Sequence, residues 1–245
     1  MPTLDLTVRR ADGATEPVSI EMQRVANCGI AARDTEPDRI DEMFDELAMT
    51  GIERPDELPM VVPKPPHLLT TETEIAVNAT TTGGELEFVL LPTADRTYVG
   101  VGVDHKDDWL TDQNLHRANS SCPSVLAKEV WLLNDVRDHW DDLRLSCWTG
   151  VGAERELYQR TTLDAYLEPE ALLAAVDSKT TESLVGTAVW SGTVTTGGDG
   201  VVDARPDVTY GDFYAMELYD PELNRRLSHQ YDVSLTDWVT ACELP

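Results

Sequence analysis

The sequence contains no run of about 18 apolar residues, so no segment reads as a transmembrane helix. Its N-terminus shows no basic-then-apolar signal segment, which points to a cytoplasmic protein. There is no Gly-x-Ser-x-Gly elbow, no P-loop and no Rossmann glycine pattern, and Gly197-Gly198-Asp199-Gly200 reads as a turn. The four cysteines, Cys28, Cys122, Cys147 and Cys242, form no Cys-x-x-Cys pair, which argues for buried thiols over disulfides or zinc ligands. Cys122, before Pro123 in a polar loop, is the one candidate for a reactive thiol. Basic residues are scarce: 19 Lys and Arg stand against 45 Asp and Glu, a net charge of −26. Phosphate contacts need a basic face, so nucleic-acid binding is disfavoured. The acids are interleaved with apolar segments along the whole chain. That looks like adaptation to high salt, where screening over about 3 Å at 1 M removes self-repulsion. A basic partner is the alternative.

What is present is a globular composition, 41% hydrophobic over 245 residues, enough for one large β-rich domain or two small ones. Residues 3–9 alternate as a strand, Asp12-Gly13 turns the chain, and Pro17 to Met22 reads as the hairpin partner. A helix is predicted over 35–51, with Ile40, Phe44 and Leu47 on one stripe. The proline-rich stretch 55–66 reads as a linker between a small N-terminal subdomain, 1–58, and a larger one, 59–245. Further strands are predicted at 74–77, 85–91, 98–103, 143–149, 183–195, 213–219 and from Arg225 onward, with helices over 106–117 and from Pro169. The fold class is therefore α+β, β-rich, with a large mixed sheet.

Within the strand 85–91, Glu85 and Glu87 are two apart and share one face, while Leu86 and Phe88 take the other. Two carboxylates about 7 Å apart repel unless something positive lies between them. The next strand delivers Asp104 at its end. Three acidic side chains on neighbouring strands suit a hard cation such as Mg²⁺ or Mn²⁺. A solvated acidic sheet face is the other reading, since about 8 acidic pairs at this spacing are expected by chance in so acidic a chain.

Several segments, in order, carry a resemblance. These are Val62-Pro-Lys-Pro-Pro-His-Leu-Leu-Thr-Thr-Glu-Thr-Glu-Ile75, Gly84-Glu-Leu-Glu87, Val103-Asp-His-Lys-Asp107, Tyr158-Gln-Arg-Thr-Thr162, Val189-Trp-Ser-Gly-Thr-Val194 and Tyr210-Gly-Asp-Phe-Tyr-Ala-Met-Glu-Leu218. Together, over about 60–235, they resemble the fumarylacetoacetate hydrolase superfamily, within a subfamily of undescribed activity. The resemblance implies a rolled mixed β-sheet and a homodimer. It also implies one Mg²⁺ or Mn²⁺ ion, with Ca²⁺ as a third choice, and C–C hydrolysis or decarboxylation of a small 2-oxo or β-diketo carboxylic acid. By position, Glu85, Glu87 and Asp104 would ligate the ion. Thr193 would bond the substrate carboxylate and Gln159 would line the cavity. Apart from the resemblance, His105, next to Asp104, is the candidate acid or base. A strand-end histidine bonded to backbone is the plain alternative for His105.

This chain departs from the pattern after Asp104. Where lysines would be expected, the loop Ala118 to Ser124 has Asn119 and Ser124, and Lys128 comes four residues late. A protein with the same fold but no turnover, serving as a metabolite-binding or structural dimer, is thus a competing expectation. Among the other histidines, His67 is a candidate for the cleft, while His116, His139 and His229 read as surface or packing residues.

Overall fold

The structure, a computed structural model, describes residues 1–33, 57–111, 113–193 and 210–236. The expected helix over 35–51 and the Gly197 turn lie outside the described residues.

Two sheets form the molecule. The larger is ten-stranded and contains β1 (Thr3–Arg9), β2 (Thr15–Glu21), β3 (Arg24–Gly29), β4 (Met60–Lys64), β5 (Leu69–Thr70), β7 (Thr82–Pro92), β8 (Thr97–Asp107), β9 (Ser124–Leu126), β10 (Glu129–Leu132) and β13 (Thr187–Trp190). The smaller is five-stranded, ordered β12 (Glu156–Thr162), β11 (Arg144–Gly150), β14 (Phe213–Asp220), β15 (Arg225–Leu235) and β6 (Glu74–Val77). Both are mixed, with parallel pairs such as β1–β10, β13–β3 and β15–β6 among antiparallel ones. Among the described residues helices are few: α1 (Asp108–Thr111), α2 (Leu115–Ser120) and α3 (Pro169–Asp177), the last buried through Leu172 and Val176. No helix among them is long and apolar enough to cross a membrane.

The large sheet is rolled. One path runs β8-β7-β13-β3-β4, and a second runs β8-β9-β5, with β5 following β4 after a 3₁₀ turn at Pro66–Leu68. In a flat sheet β4 would lie about 19 Å from β8, four strand spacings away. Yet Lys64 Nζ on β4 is 2.7 Å from Asp104 Oδ1 on β8. Only curling brings them together. The inner face is apolar over most of its length, with Leu4, Leu6, Val8, Val89, Leu91, Leu126, Val130 and Trp190. The outer face, through Leu86, Phe88, Leu90, Val101 and Val103, packs on Leu145, Tyr214, Met216, Leu218 and Tyr231 of the small sheet. Inside the roll Trp190 lies over Gly102, where a Cβ would come within 2.4 Å of its ring.

Strand alternation explains why the first predicted strand matches β1 and why the Asp12-Gly13 turn recurs, with Gly13 at φ 85° and Asp12 Oδ1 accepting from Ala14 N at 2.9 Å. Strands from either side of residue 58 share the large sheet, since β1 joins β10 and β3 lies between β13 and β4. The structure departs from expectation at three places. The proline-rich stretch contains β4, a strand that pairs on one side only, where Pro63 costs no ladder bond. The helix expected over 106–117 is two short helices after β8, which continues to Asp107. Of the strand expected over 183–195, the part within the described residues, 183–193, is regular over Thr187–Trp190. Cys28, Cys122 and Cys147 are free and buried, and burial raises all three thiols, so Cys122 is not activated.

Candidate functional site

Strands β7 and β8 pair with Glu85 opposite Asp104 and Glu87 opposite Gly102, so all three carboxylates project from the inner face of the roll. Glu87 and Asp104 are buried, and Glu85 is half-buried. β13 stops at Trp190, and Gly192 turns the chain away with φ 71°, where a Cβ would lie 2.2 Å from Cys28 O. That turn leaves the β7 edge at Leu86 to other partners. Leu86 N donates to Gln159 Oε1 at 2.7 Å, and Thr193 Oγ1 donates to Leu86 O at 3.4 Å. Gly192 N donates to Glu87 Oε2 at 2.7 Å. Gln159 and Thr193 therefore meet at one backbone unit, between the two glutamates.

Four side chains surround Asp104. Lys64 Nζ at 2.7 Å and the Ser124 hydroxyl donate to Oδ1; Asn27 Nδ2 at 2.6 Å and Asn119 Nδ2 at 3.2 Å donate to Oδ2. Ser124 is in register with Asp104 across β8–β9, and Asn119 comes from α2, whose first turn Asn114 caps by accepting from Arg117 N. Asn27 and Lys64 come from β3 and β4, the strands that the roll carries over. Lys64 is wholly excluded from solvent and also donates to His105 O at 3.2 Å. A second lysine, Lys106, donates to Glu85 Oε1 at 2.9 Å. Burial, and after it the Asp104 and Glu85 carboxylates, push Glu87 well above the usual carboxylate range, against the opposing pull of the Gly192 N–H and Lys64. Burial thus favours the protonated form of Glu87, while Asp104 lies against the Lys64 ammonium and Glu85 against that of Lys106.

His105 is elsewhere. Successive strand residues alternate faces, so Asp104 points into the roll and His105 points out of it, opposite Gly84. The ring lies edge-on to Tyr214 at 4.9 Å, and Nε2 is 2.6 Å from Tyr231 OH. Its Nδ1 is buried with no hydrogen-bond partner among the described residues. Burial, with a smaller push from the Lys64 charge, lowers its value to about 3, so the ring is neutral. Burial likewise pushes Tyr214 up to about 12. A general acid or base must stand within hydrogen-bond reach of its proton. The imidazole stands on the far face of β8 from the carboxylates.

Two kinds of residue escaped the sequence reading. Asn27 belongs to β3, for which the sequence analysis predicts no element, and Lys64 lies in the proline-rich stretch that reads as a linker. The usable signal for Lys64 was rarity, as one of only four lysines in the chain, set among apolar residues. Asn119 and Ser124, expected to mark a lost cation, instead bond Asp104 directly, and Lys128 is exposed. The cation comes from another strand. His67 and His116 are exposed.

The expected ion does not fit this arrangement at Asp104. A carboxylate offers about four lone-pair sites, and four donors take them. Among the described residues no group of three His, Cys, Asp or Glu side chains is placed to hold a metal.

Several solved structures share the fold. One is the yeast protein ynq8, described as a fumarylacetoacetate hydrolase family protein: 12% identity, TM-score 0.59, covering 87% of this chain and 94% of that one. Another is 2-keto-3-deoxy-D-arabinonate dehydratase complexed with magnesium and 2,5-dioxopentanoate, at 12% identity and TM-score 0.58, covering 90% and 76%. A third is 4-oxalocrotonate decarboxylase from Pseudomonas putida G7 complexed with calcium and acetate, at 13% identity and TM-score 0.52, covering 86% and 76%. At such identities the likeness establishes the fold, which is fumarylacetoacetate hydrolase-like. No curated protein matches the sequence. The sequence pattern from Cys28 to Tyr231, spanning the roll, its buried carboxylates and the tyrosine core behind them, matches the family described as "Protein of unknown function (DUF2848)" over residues 28–231, and the chain belongs to that family.

Proposed function

We propose that this chain is an enzyme acting on a small 2-oxo or β-diketo carboxylic acid, by C–C hydrolysis or decarboxylation, at the carboxylate cluster of the roll. The observation that carries the reading is the buried Lys64–Asp104 pair beside Glu85 and Glu87. A buried charge pair with polar neighbours is costly to build, and perturbed titratable groups concentrate at functional sites. Reactions of this class develop negative charge on an oxygen, and a fixed positive charge in a water-poor site stabilises it. Lys64 and Lys106 supply that charge from this chain's own residues. Thr193, whose bond to Leu86 O is long at 3.4 Å, has a hydroxyl that can turn to a substrate carboxylate. Gln159, from the small sheet, holds the β7 edge at Leu86, between the two glutamates. The fold neighbours act on or bind small oxo acids in the presence of Mg²⁺ or Ca²⁺, which supports the substrate class. The reading routes no step through a metal ion, because four donors already occupy Asp104. A cytoplasmic homodimer is proposed with it.

A second reading, a metabolite-binding protein without turnover, is favoured by one observation: the loop Ala118 to Ser124 supplies neutral donors to Asp104 and no cation. The test is a panel of acylpyruvates and oxaloacetate, followed by loss of ultraviolet absorbance with and without Mg²⁺ or Mn²⁺. Turnover that falls in Lys64→Met supports the enzyme. A 2-oxo acid that protects against melting while no panel member turns over supports the binder.

A further inference from the structure

The four donors around Asp104 differ in kind. Ser124, Asn27 and Asn119 are neutral, and Lys64 alone is charged. Any ion that takes Asp104 as a ligand must displace one of them. The neutral donors hold their places through the β8–β9 register, the β3 strand and α2. Two of them are tied to each other as well, since Asn27 Nδ2 also donates to Asn119 Oδ1 at 2.8 Å. A divalent ion and an ammonium on the same carboxylate repel, and in a water-poor site little screens them. Lys64 is therefore the donor that an ion would displace. Its side chain has no exposed surface, and β4 holds it in register opposite Val25 on the inner face. It is a seated group rather than a passing contact of a surface lysine.

The cluster is also balanced without an ion. Asp104 is paired with Lys64 and Glu85 with Lys106, each at or under 2.9 Å. Asn27 Oδ1, buried with no hydrogen-bond partner among the described residues, leaves one acceptor unsatisfied beside the carboxylate. A hydroxyl or a water suits that acceptor without disturbing the pair.

We propose that Lys64 is the resident cation of this cluster, standing in the place of a divalent ion, and that the two exclude one another at Asp104. The inference rests on the proposed location of the site but not on turnover. Mutual exclusion has a sign that can be measured. Removing the ammonium should create an ion site, whereas a lysine that helps to hold the ion would make the same change weaken binding.

The experiment uses the full chain after chelator treatment, with Mn²⁺ as the probe, followed by electron paramagnetic resonance and calorimetry. Wild type should bind Mn²⁺ weakly. Lys64→Gln, which keeps a neutral donor, and Lys64→Met should each bind at least about tenfold tighter, roughly 1.4 kcal/mol. Adding Asp104→Asn to Lys64→Gln should abolish the gain. Because Lys64→Met leaves a buried carboxylate unpaired, Lys64→Gln decides the matter if Lys64→Met does not fold. The inference is overturned if wild type binds Mn²⁺ in the micromolar range, or if Lys64→Gln binds equally or more weakly. The oxo-acid panel reports separately. A panel without turnover beside a gain in Lys64→Gln would sink the enzyme reading and leave this inference standing.

Discussion

Asp104 and His105 are neighbours in sequence and stand in opposite environments. The inner side of the β7–β8 ladder holds Glu85, Glu87 and Asp104 with two lysines and three neutral donors. The outer side holds His105 against Tyr214 and Tyr231, with no charged partner at its ring among the described residues. One peptide bond separates a carboxylate wrapped in donors from an imidazole kept neutral by burial. The lesson is that strand pleating partitions chemistry. Charge is retained where the roll brings compensating groups from distant strands, and it is suppressed where only aromatic rings pack. Function should therefore reside on the inner side, and disturbing the two sides should give different signatures.

The largest effect is expected from breaking the inner pair on one side only. Asp104→Ala leaves the Lys64 ammonium buried and unpaired, and should cost about 3–5 kcal/mol of unfolding free energy in urea titrations. The double change Lys64→Met with Asp104→Leu removes both charges and should recover most of that loss. A double variant as unstable as Asp104→Ala would show that the neutral donors, not the charge pair, dominate the inner side.

Titration gives the next effect, with opposite signs on the two sides. The unfolded chain protonates His105 below about 6.5, whereas in the fold it resists protonation down to about 3. Its contribution is full above pH 6.5 and is lost as pH falls toward 3, at up to roughly 1.4 kcal/mol per pH unit. Glu87 acts in reverse. Its raised value means the fold keeps a proton that the unfolded chain gives up above about 4.3, so its contribution is full below that and lost as pH rises toward its folded value. Denaturation of His105→Phe should show a shallower acid slope, and Glu87→Gln should flatten the alkaline side. An unchanged acid slope in His105→Phe would place the acid-sensitive group elsewhere.

Packing tests come third. Gly102→Ala puts a Cβ 2.4 Å from the Trp190 ring and 2.9 Å from Val125 O, on the inner face opposite Glu87. Overpacking of this kind should cost about 1–3 kcal/mol. Because the strain falls beside Glu87, ligand protection against melting should fall with it. A loss of stability with ligand protection intact would detach the tryptophan from the site.

The smallest effect concerns the surface. With a net charge of −26, the melting temperature should rise between low and molar KCl as repulsion is screened. The buried pair at Asp104 should be indifferent to salt, so Asp104→Ala and wild type should rise in parallel. A melting temperature that does not respond to KCl would turn attention to a basic partner for the acidic surface.

By itself the sequence determined the local pattern. The alternation at Thr3–Arg9 and the Asp12-Gly13 turn need only neighbouring residues, and both recur in the structure. So does the sharing of one face by Glu85 and Glu87, because a period of two is a local property of an extended chain. The order of motifs carried the fold class, since relatives at 12% identity keep the same architecture. Tertiary structure decided the rest. Lys64 and Asp104 are 40 residues apart, and Asn27 and Asp104 are 77 apart. No spacing rule links such pairs, because closing the roll is a collective outcome of pairing β4, β3 and β13 on one side and β5 and β9 on the other. The position of His105 was legible in principle from the same alternation that paired the glutamates. What that alternation could not disclose was which side of β8 would be wrapped in donors, for that depended on which distant strands the roll brought over it.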